Sequence, residues 1–218
     1  MSGAGGDSNP RVLVTGAASG VGLSCAEAFA ARGADLILCD HDGTALTRVA
    51  ERLNAYSRFC DTISDSSVAV FAAEIAGAFP AIDVLINAAG QGYVRSLAMA
   101  RMTRAMMPSL RRASGQRLVV NLAHAGGFRV ADEIFPYASS EFAFDRLSAA
   151  LAEQARGTAI DVVSLKPSVI RSGRPGASAG LYELQRVDEA ATAERVVEMV
   201  SARRPEWQHQ RPPAIRRA

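Results

Sequence analysis

The chain has 218 residues, 49% of them hydrophobic and 21% charged, with a formal net charge of +2. That balance belongs to a folded globular chain rather than a disordered one, and the length suits one well-buried core better than two. So small a charge gives no reason to expect a nucleic-acid partner, and no apolar run reaches the roughly 18 residues that a membrane-spanning helix needs.

The positive charge is almost all arginine, since Lys166 is the only lysine. Residues 1–10 are Gly- and Ser-rich, lack the apolar run of a signal peptide, and read as a flexible leader. Cys25, Cys39 and Cys60 are odd in number and far apart in the sequence. They match no disulfide framework or metal-ligand spacing and read as small buried hydrophobes, so the cytoplasm is the expected compartment.

Apolar bursts alternate with helical patterns along the rest of the chain. Strands are expected at Arg11–Thr15, Asp35–Cys39, Arg58–Cys60, Val84–Asn87, Arg117–Leu122 and Ala159–Leu165. Between and after them, helical spacing covers Val21–Arg32, Thr44–Leu53, Ser66–Phe79, Leu97–Arg111, Tyr137–Arg156 and Val187–Ala202. Gly33 stops the first helix as a C-terminal cap would. Strands apolar on both faces need helices on both sides, so the expected architecture is α/β: a doubly wound parallel sheet in a single domain over 11–202. An Arg- and Pro-rich tail, 203–218, is expected to be loosely packed and solvated.

The feature with the most chemistry is the turn after the first strand, Thr15-Gly16-Ala17-Ala18-Ser19-Gly20-Val21-Gly22. Gly16, Gly20 and Gly22 allow positive φ and a close backbone approach, and the helix opening near Val21 points free amides and its positive dipole end at whatever the turn holds. Diphosphate is the group this suits, and the setting between strand and helix makes it a dinucleotide site. Asp40, at the end of the second strand, can accept hydrogen bonds from both ribose hydroxyls and would repel a 2′-phosphate, so NAD is expected over NADP.

Thr-Gly-x-x-x-Gly-x-Gly resembles the short-chain dehydrogenase/reductase family, whose fold is of the Rossmann type, and the resemblance runs to about residue 200. Asp61, in Phe59-Cys60-Asp61-Thr62, resembles the family's adenine-contacting aspartate. Asn87-Ala88-Ala89-Gly90 resembles its Asn-Asn-Ala-Gly turn with the second Asn replaced, and Val120-Asn121-Leu122 fits its fifth strand. Tyr137 resembles the catalytic tyrosine, and Lys166-Pro167-Ser168 the turn after the sixth strand. The resemblance therefore implies cofactor contacts from Gly16, Ser19, Gly20, Val21, Gly22, Asp40, Asp61, Thr62, Asn87, Ala89, Gly90, Tyr137 and Pro167, and a small carbonyl or alcohol substrate.

The chain departs from the family where the chemistry is done, which marks it as a divergent member. In the family a serine polarises the carbonyl, a lysine one helical turn past the tyrosine lowers its pKa, and an asparagine anchors a proton-relay water. Here His124 stands at the serine position, Glu141 at the lysine position and Arg95 at the asparagine position. An ionised Glu141 raises the pKa of a neighbouring tyrosine instead of lowering it, which leaves Tyr137 a poor base. His124 can polarise a carbonyl or act as the acid, so a set of His124, Tyr137 and Glu141 is one expectation. A non-catalytic NAD(H) sensor or supporting subunit of a larger assembly is the other.

The segment after Pro167, Arg171–Tyr182, is short and Gly/Ser/Pro-rich, so a small, open pocket is expected. The helices over Leu97–Arg111 and Tyr137–Arg156 correspond to those that build the family's dimer. Met99, Met102 and Met106 with Phe142, Phe144, Leu147 and Leu151 are then the apolar surface of a homo-oligomer, or of a hetero-oligomer with a related subunit.

Overall fold

A computed structural model describes residues 9–90, 94–123, 134–166, 188–204 and 207; over 134–141 it fixes the helical backbone alone. Six strands, β1 (Arg11–Thr15), β2 (Asp35–Asp40), β3 (Tyr56–Phe59), β4 (Val84–Asn87), β5 (Arg117–Leu122) and β6 (Ile160–Leu165), form one parallel sheet. Its order is β3-β2-β1-β4-β5-β6. Helices α1 (Gly20–Ala30), α2 (Gly43–Leu53), α3 (Asp65–Ala78), α4 (Val94–Arg112), α5 (Ile134–Ala155) and α6 (Glu189–Arg203) cover it. This is the doubly wound, single-domain architecture that the alternation predicts.

Alternation along each strand divides the core between the two faces of the sheet. On one, Val12, Val14, Leu36, Leu38, Val84 and Ile86 pack against Phe29 of α1 and Val196, Val197 and Val200 of α6. On the other, Leu13, Ile37, Leu85 and Val119 meet Phe71 and Ile75 of α3 and Met102 and Met106 of α4. Gly33 does close the end of α1: it takes φ +78°, and the amides of Gly33 and Ala34 donate to the carbonyls of Ala30 and Phe29.

Two element boundaries differ from expectation for identifiable reasons. β3 starts at Tyr56 rather than Arg58, because its ladder with β2 runs from Tyr56 opposite Ile37 to Phe59 opposite Asp40 and ends before Cys60. As an edge strand with Phe59 59% exposed, it lacks the apolar signature of its neighbours. α4 starts at Val94 rather than Leu97, so the lead-in from Gly90 is shorter than the sequence reading allows. The residues that hide this first turn, Arg95 and Ser96, are polar yet buried.

Three other expectations change with the packing. Met99, Met102, Met106, Phe144 and Leu151 are buried within the chain and offer no oligomer surface, whereas Phe142 on α5 and Leu97 on α4 are exposed. The start of the tail is tied down rather than loose: Arg204 bonds Asp83 at 2.7 Å, and Trp207 stacks on Phe29 at 5.5 Å between ring centroids. Cys39 and Cys60, far apart in sequence, lie in one cluster because β2 and β3 pair. The leader 1–8 and most of the tail lie outside the described residues. No helix among the described residues is long and apolar enough to cross a membrane.

Candidate cofactor cleft

The sheet changes direction of winding between β1 and β4, and a doubly wound sheet opens a crevice at the carboxyl ends of those strands. The cavity found there has a volume of about 940 Å³ and is bordered by the glycine turn, the ends of β2 and β4, and the loop after β3. Thr15 closes its base: the Oγ1 at the end of β1 accepts from the amides of both Ala88 and Ala89 after β4, each at 3.1 Å.

The glycines of the turn answer two different needs. At Gly22 the need is space, since a Cβ there would stand 2.1 Å from the Gly16 carbonyl oxygen. At Gly16 it is both space and angle: φ is +68°, and a Cβ would meet the Ala89 backbone at 2.9 Å. α1 is thereby pressed against the end of β1, and Gly20, Val21 and Gly22 of its first turn border the cavity. Ser19, the N-cap of α1, makes no side-chain capping bond, and the first turn carries no acidic residue. By contrast Asp42, Ser64 and Asp188 each accept a backbone amide at the start of α2, α3 and α6. The α1 end thus has no side-chain cap from its own sequence, which leaves amides there for a ligand.

Of the residues implied as cofactor contacts, Gly16, Ser19, Gly20, Val21, Gly22, Asp40, Asp61, Thr62, Ala89 and Gly90 all border the cavity. Asp40 is 5% exposed. Its Oδ2 accepts from the Ala18 amide at 3.0 Å and its Oδ1 from the Asp42 amide at 3.0 Å, with His41 Nδ1 also 3.0 Å from Oδ1. The carboxylate therefore braces the glycine turn as well as facing the cleft. Asp61 Oδ1 accepts from the Ile63 amide at 3.0 Å, which folds the loop after β3 into a tight turn.

Asn87 stands behind the cavity wall. Its Nδ2 donates to Thr103 Oγ1 and to Asn121 Oδ1, both at 2.9 Å, and Asn121 Nδ2 reaches Ser148 Oγ at 3.4 Å. This buried chain of polar groups ties β4 and β5 to α4 and α5, so Asn87 acts on the cleft by holding its frame.

Tyr137 and Glu141 fall on α5, within the stretch whose side chains are not described; His124, Pro167 and the segment 171–182 lie outside the described residues. Arg95 is turned into the chain: it is 3% exposed, with its guanidinium over the Phe144 ring at 5.6 Å. Lys166, at the end of β6, bonds Asp145 of α5 at 2.9 Å. Sequence reasoning missed Glu189. Its Oε1 would lie 3.7 Å from a Cβ on Gly20, so a carboxylate overlooks the N-terminal end of α1. Nothing near Glu189 in the sequence signals this, because α6 reaches the turn only through the tertiary fold.

Comparison with known proteins agrees with the geometry. The sequence profile described as short chain dehydrogenase matches residues 10–100. A galactitol 2-dehydrogenase (L-tagatose-forming) from Cereibacter sphaeroides is 32% identical over 182 residues, covering 72% of this chain and 70% of the relative. The chain belongs to the short-chain dehydrogenase/reductase family. Solved members share its fold at lower identity. One from Burkholderia phymatum, in complex with NAD, superposes with a TM-score of 0.73 at 20% identity, covering 90% of this chain and 87% of that one. A metagenomic member in complex with NADP gives 0.72 at 23%, covering 90% and 93%.

Proposed function

We propose that the cleft binds a nicotinamide dinucleotide, NAD(H) in preference to NADP(H), and that the chain uses it to pass hydride to or from a small carbonyl or alcohol compound. The observation that carries this reading is the uncapped, glycine-lined start of α1 opening into the cleft between β1 and β4. Asp40 and Asp61 at one end of the cleft suit the adenosine ribose and adenine, and no lysine or arginine is among the described residues that border it, which disfavours a 2′-phosphate. Family members bound to NAD and to NADP support a dinucleotide in general. When bound, such a cofactor supplies or accepts the hydride.

The protein's part is then to hold the carbonyl and move a proton. Tyr137 is the proton donor in this reading, and His124 and Glu141 are its neighbours in role. With Glu141 in place of a cation, donation during reduction is favoured over abstraction during oxidation. The relative's name, galactitol 2-dehydrogenase, makes polyols and their ketoses the first compounds to try.

A second reading, a non-catalytic NAD(H) sensor or supporting subunit, is favoured by Arg95. At the position of the family's water-anchoring asparagine stands a buried cation, its guanidinium over the Phe144 ring.

Calorimetry with NADH and NADPH, followed by turnover assays on carbonyl and polyol panels, separates the readings. NADH binding with turnover lost in Tyr137→Phe supports the enzyme, and binding without turnover supports the sensor. Tighter binding of NADPH overturns the assignment of Asp40.

A further inference from the structure

β2 and β3 run parallel with Cys39 opposite Arg58 and Asp40 opposite Phe59. Just past the ladder, the Cys60 amide donates to the Asp40 carbonyl at 3.0 Å. The chain thereby places Cys39 and Cys60 together in one buried cluster, on neighbouring strand ends. Both are buried in the same cluster, at 0% and 1% exposure, yet they are not equivalent. Cys60 borders the cleft, whereas Cys39 lies behind it. Each thiol immediately precedes one of the cleft's carboxylates, Asp40 or Asp61.

We propose that Cys39 and Cys60 form a dithiol modification site, which a hydroperoxide entering the cleft converts to an intramolecular disulfide that displaces Asp40 and Asp61. Only the consequence for dinucleotide binding rests on the proposed function; the disulfide does not.

The two thiols differ in the sense the reaction requires. Hydrogen bonding from Cys39, then from Ser67, draws the Cys60 pKa below the usual thiol value. The same contact and burial push Cys39 up. Cys60 is therefore the attacking thiolate. Its sulfur takes one peroxide oxygen, the O–O bond breaks, and the departing oxygen leaves as water or alcohol after gaining a proton, with Cys60 left as sulfenic acid. The Cys39 sulfur then attacks the Cys60 sulfur, the S–O bond breaks, and hydroxide departs as water with the Cys39 proton. Two thiols lose two electrons and two protons, and the peroxide is reduced. Cys25 lies in the other core cluster and is pushed up to about 12 by burial, which makes it an internal control.

The test uses the full reduced chain, hydrogen peroxide, and peptide mapping after alkylation in denaturant. Trypsin separates the two cysteines at Arg48, Arg52 and Arg58. The expected product is a Cys39–Cys60 cross-linked peptide pair, two hydrogens lighter than its parts and cleaved by dithiothreitol, with Cys25 recovered alkylated. NADH affinity, read by calorimetry, is expected to fall about tenfold on oxidation and return on reduction. In Cys39→Ser no cross-link forms, and Cys60 stops at an oxygen acid. Recovery of both thiols free, or oxidation of Cys60 with Cys39 untouched, overturns the dithiol site. A cross-link that leaves NADH affinity unchanged overturns its effect on the cleft. Failure of the reduced chain to bind NADH counts against the cofactor reading, while the peptide map still decides the disulfide.

Discussion

The carboxylate of Asp40 is bonded to the backbone amide of Ala18 at 3.0 Å, across the gap between the end of β2 and the glycine turn. One side chain thus both shapes the turn and presents negative charge where the ribose of a dinucleotide would lie. The two functions separate by substitution. Asp40→Asn keeps the shape but sets an amide N–H against a backbone N–H, at a cost of about 1–3 kcal/mol for the orphaned donor. Both variants remove the charge and Asp40→Ala removes the brace as well, so in both the ratio of NADPH to NADH affinity is expected to rise about tenfold, an effect of about 1.4 kcal/mol. Calorimetry on both variants measures this; lower stability with an unchanged ratio would leave Asp40 as a brace alone.

Glu189 gives the opposite expectation. Its carboxylate stands near Gly20 with a like charge expected on any bound diphosphate. At an exposed site such a repulsion is worth about 1 kcal/mol, so Glu189→Gln is expected to tighten NADH binding about fivefold. The gain should shrink as salt is raised. Weaker binding in Glu189→Gln would show that the carboxylate accepts a hydrogen bond from the ligand instead.

The thiol of Cys25 makes stability fall at high pH. Burial holds it at about 12 against an ordinary value of 9.0, so between those limits the unfolded chain gives up a proton that the folded chain keeps. Unfolding is then favoured by about 1.4 kcal/mol for each pH unit above 9, and the contribution is fully present only below that pH. Urea melts at pH 8 and pH 10.5 should show a shallower loss for Cys25→Ala than for the unsubstituted chain. Equal losses would refute the assignment.

The end of α6 is expected to matter to stability out of proportion to its place near the tail. Arg204 is 9% exposed and donates to Asp83, to the Ser114 carbonyl and to the Gln116 carbonyl. Arg204→Ala leaves the Asp83 carboxylate with the Arg11 amide but without its cation, and should cost about 3 kcal/mol. Trp207→Ala empties the space against Phe29 and should cost about 3–5 kcal/mol. Thermal or urea unfolding checks both, and a change below about 0.5 kcal/mol, as at ordinary surface positions, would overturn them.

Much of the frame is legible in the sequence because it is written locally. β1, β4 and β5 have their predicted limits, since buried parallel strands are short apolar runs between breakers. The glycine turn is equally plain, as Gly22 answers a contact with Gly16 inside one βα unit, although Gly16 itself meets Ala89 after β4. The legible part ends where partners come from distant sequence. Arg95 and Ser96 look like solvent-facing residues but are buried, Arg95 between Gly90 and Phe144, which hid the first turn of α4. The methionines of α4 carry the same periodicity whether they face a core or a partner, and only packing decides between the two, of Met102 and Met106 against Leu13 and Val119 and of Met99 against Phe144. Trp207 gives no sign in the sequence of the Phe29 ring that it covers.

That last contact has a consequence for how the chain is made. The face of β1 that supports the cleft is sealed by α1, and α1 is sealed in turn by α6 and Trp207, from the far end of the described sequence. During synthesis the first βα unit leaves the ribosome with Phe29 and Val12 lacking their final cover, and keeps them so until α6 arrives. The most local motif in the chain therefore depends on one of its longest loop closures, and the cleft is completed late.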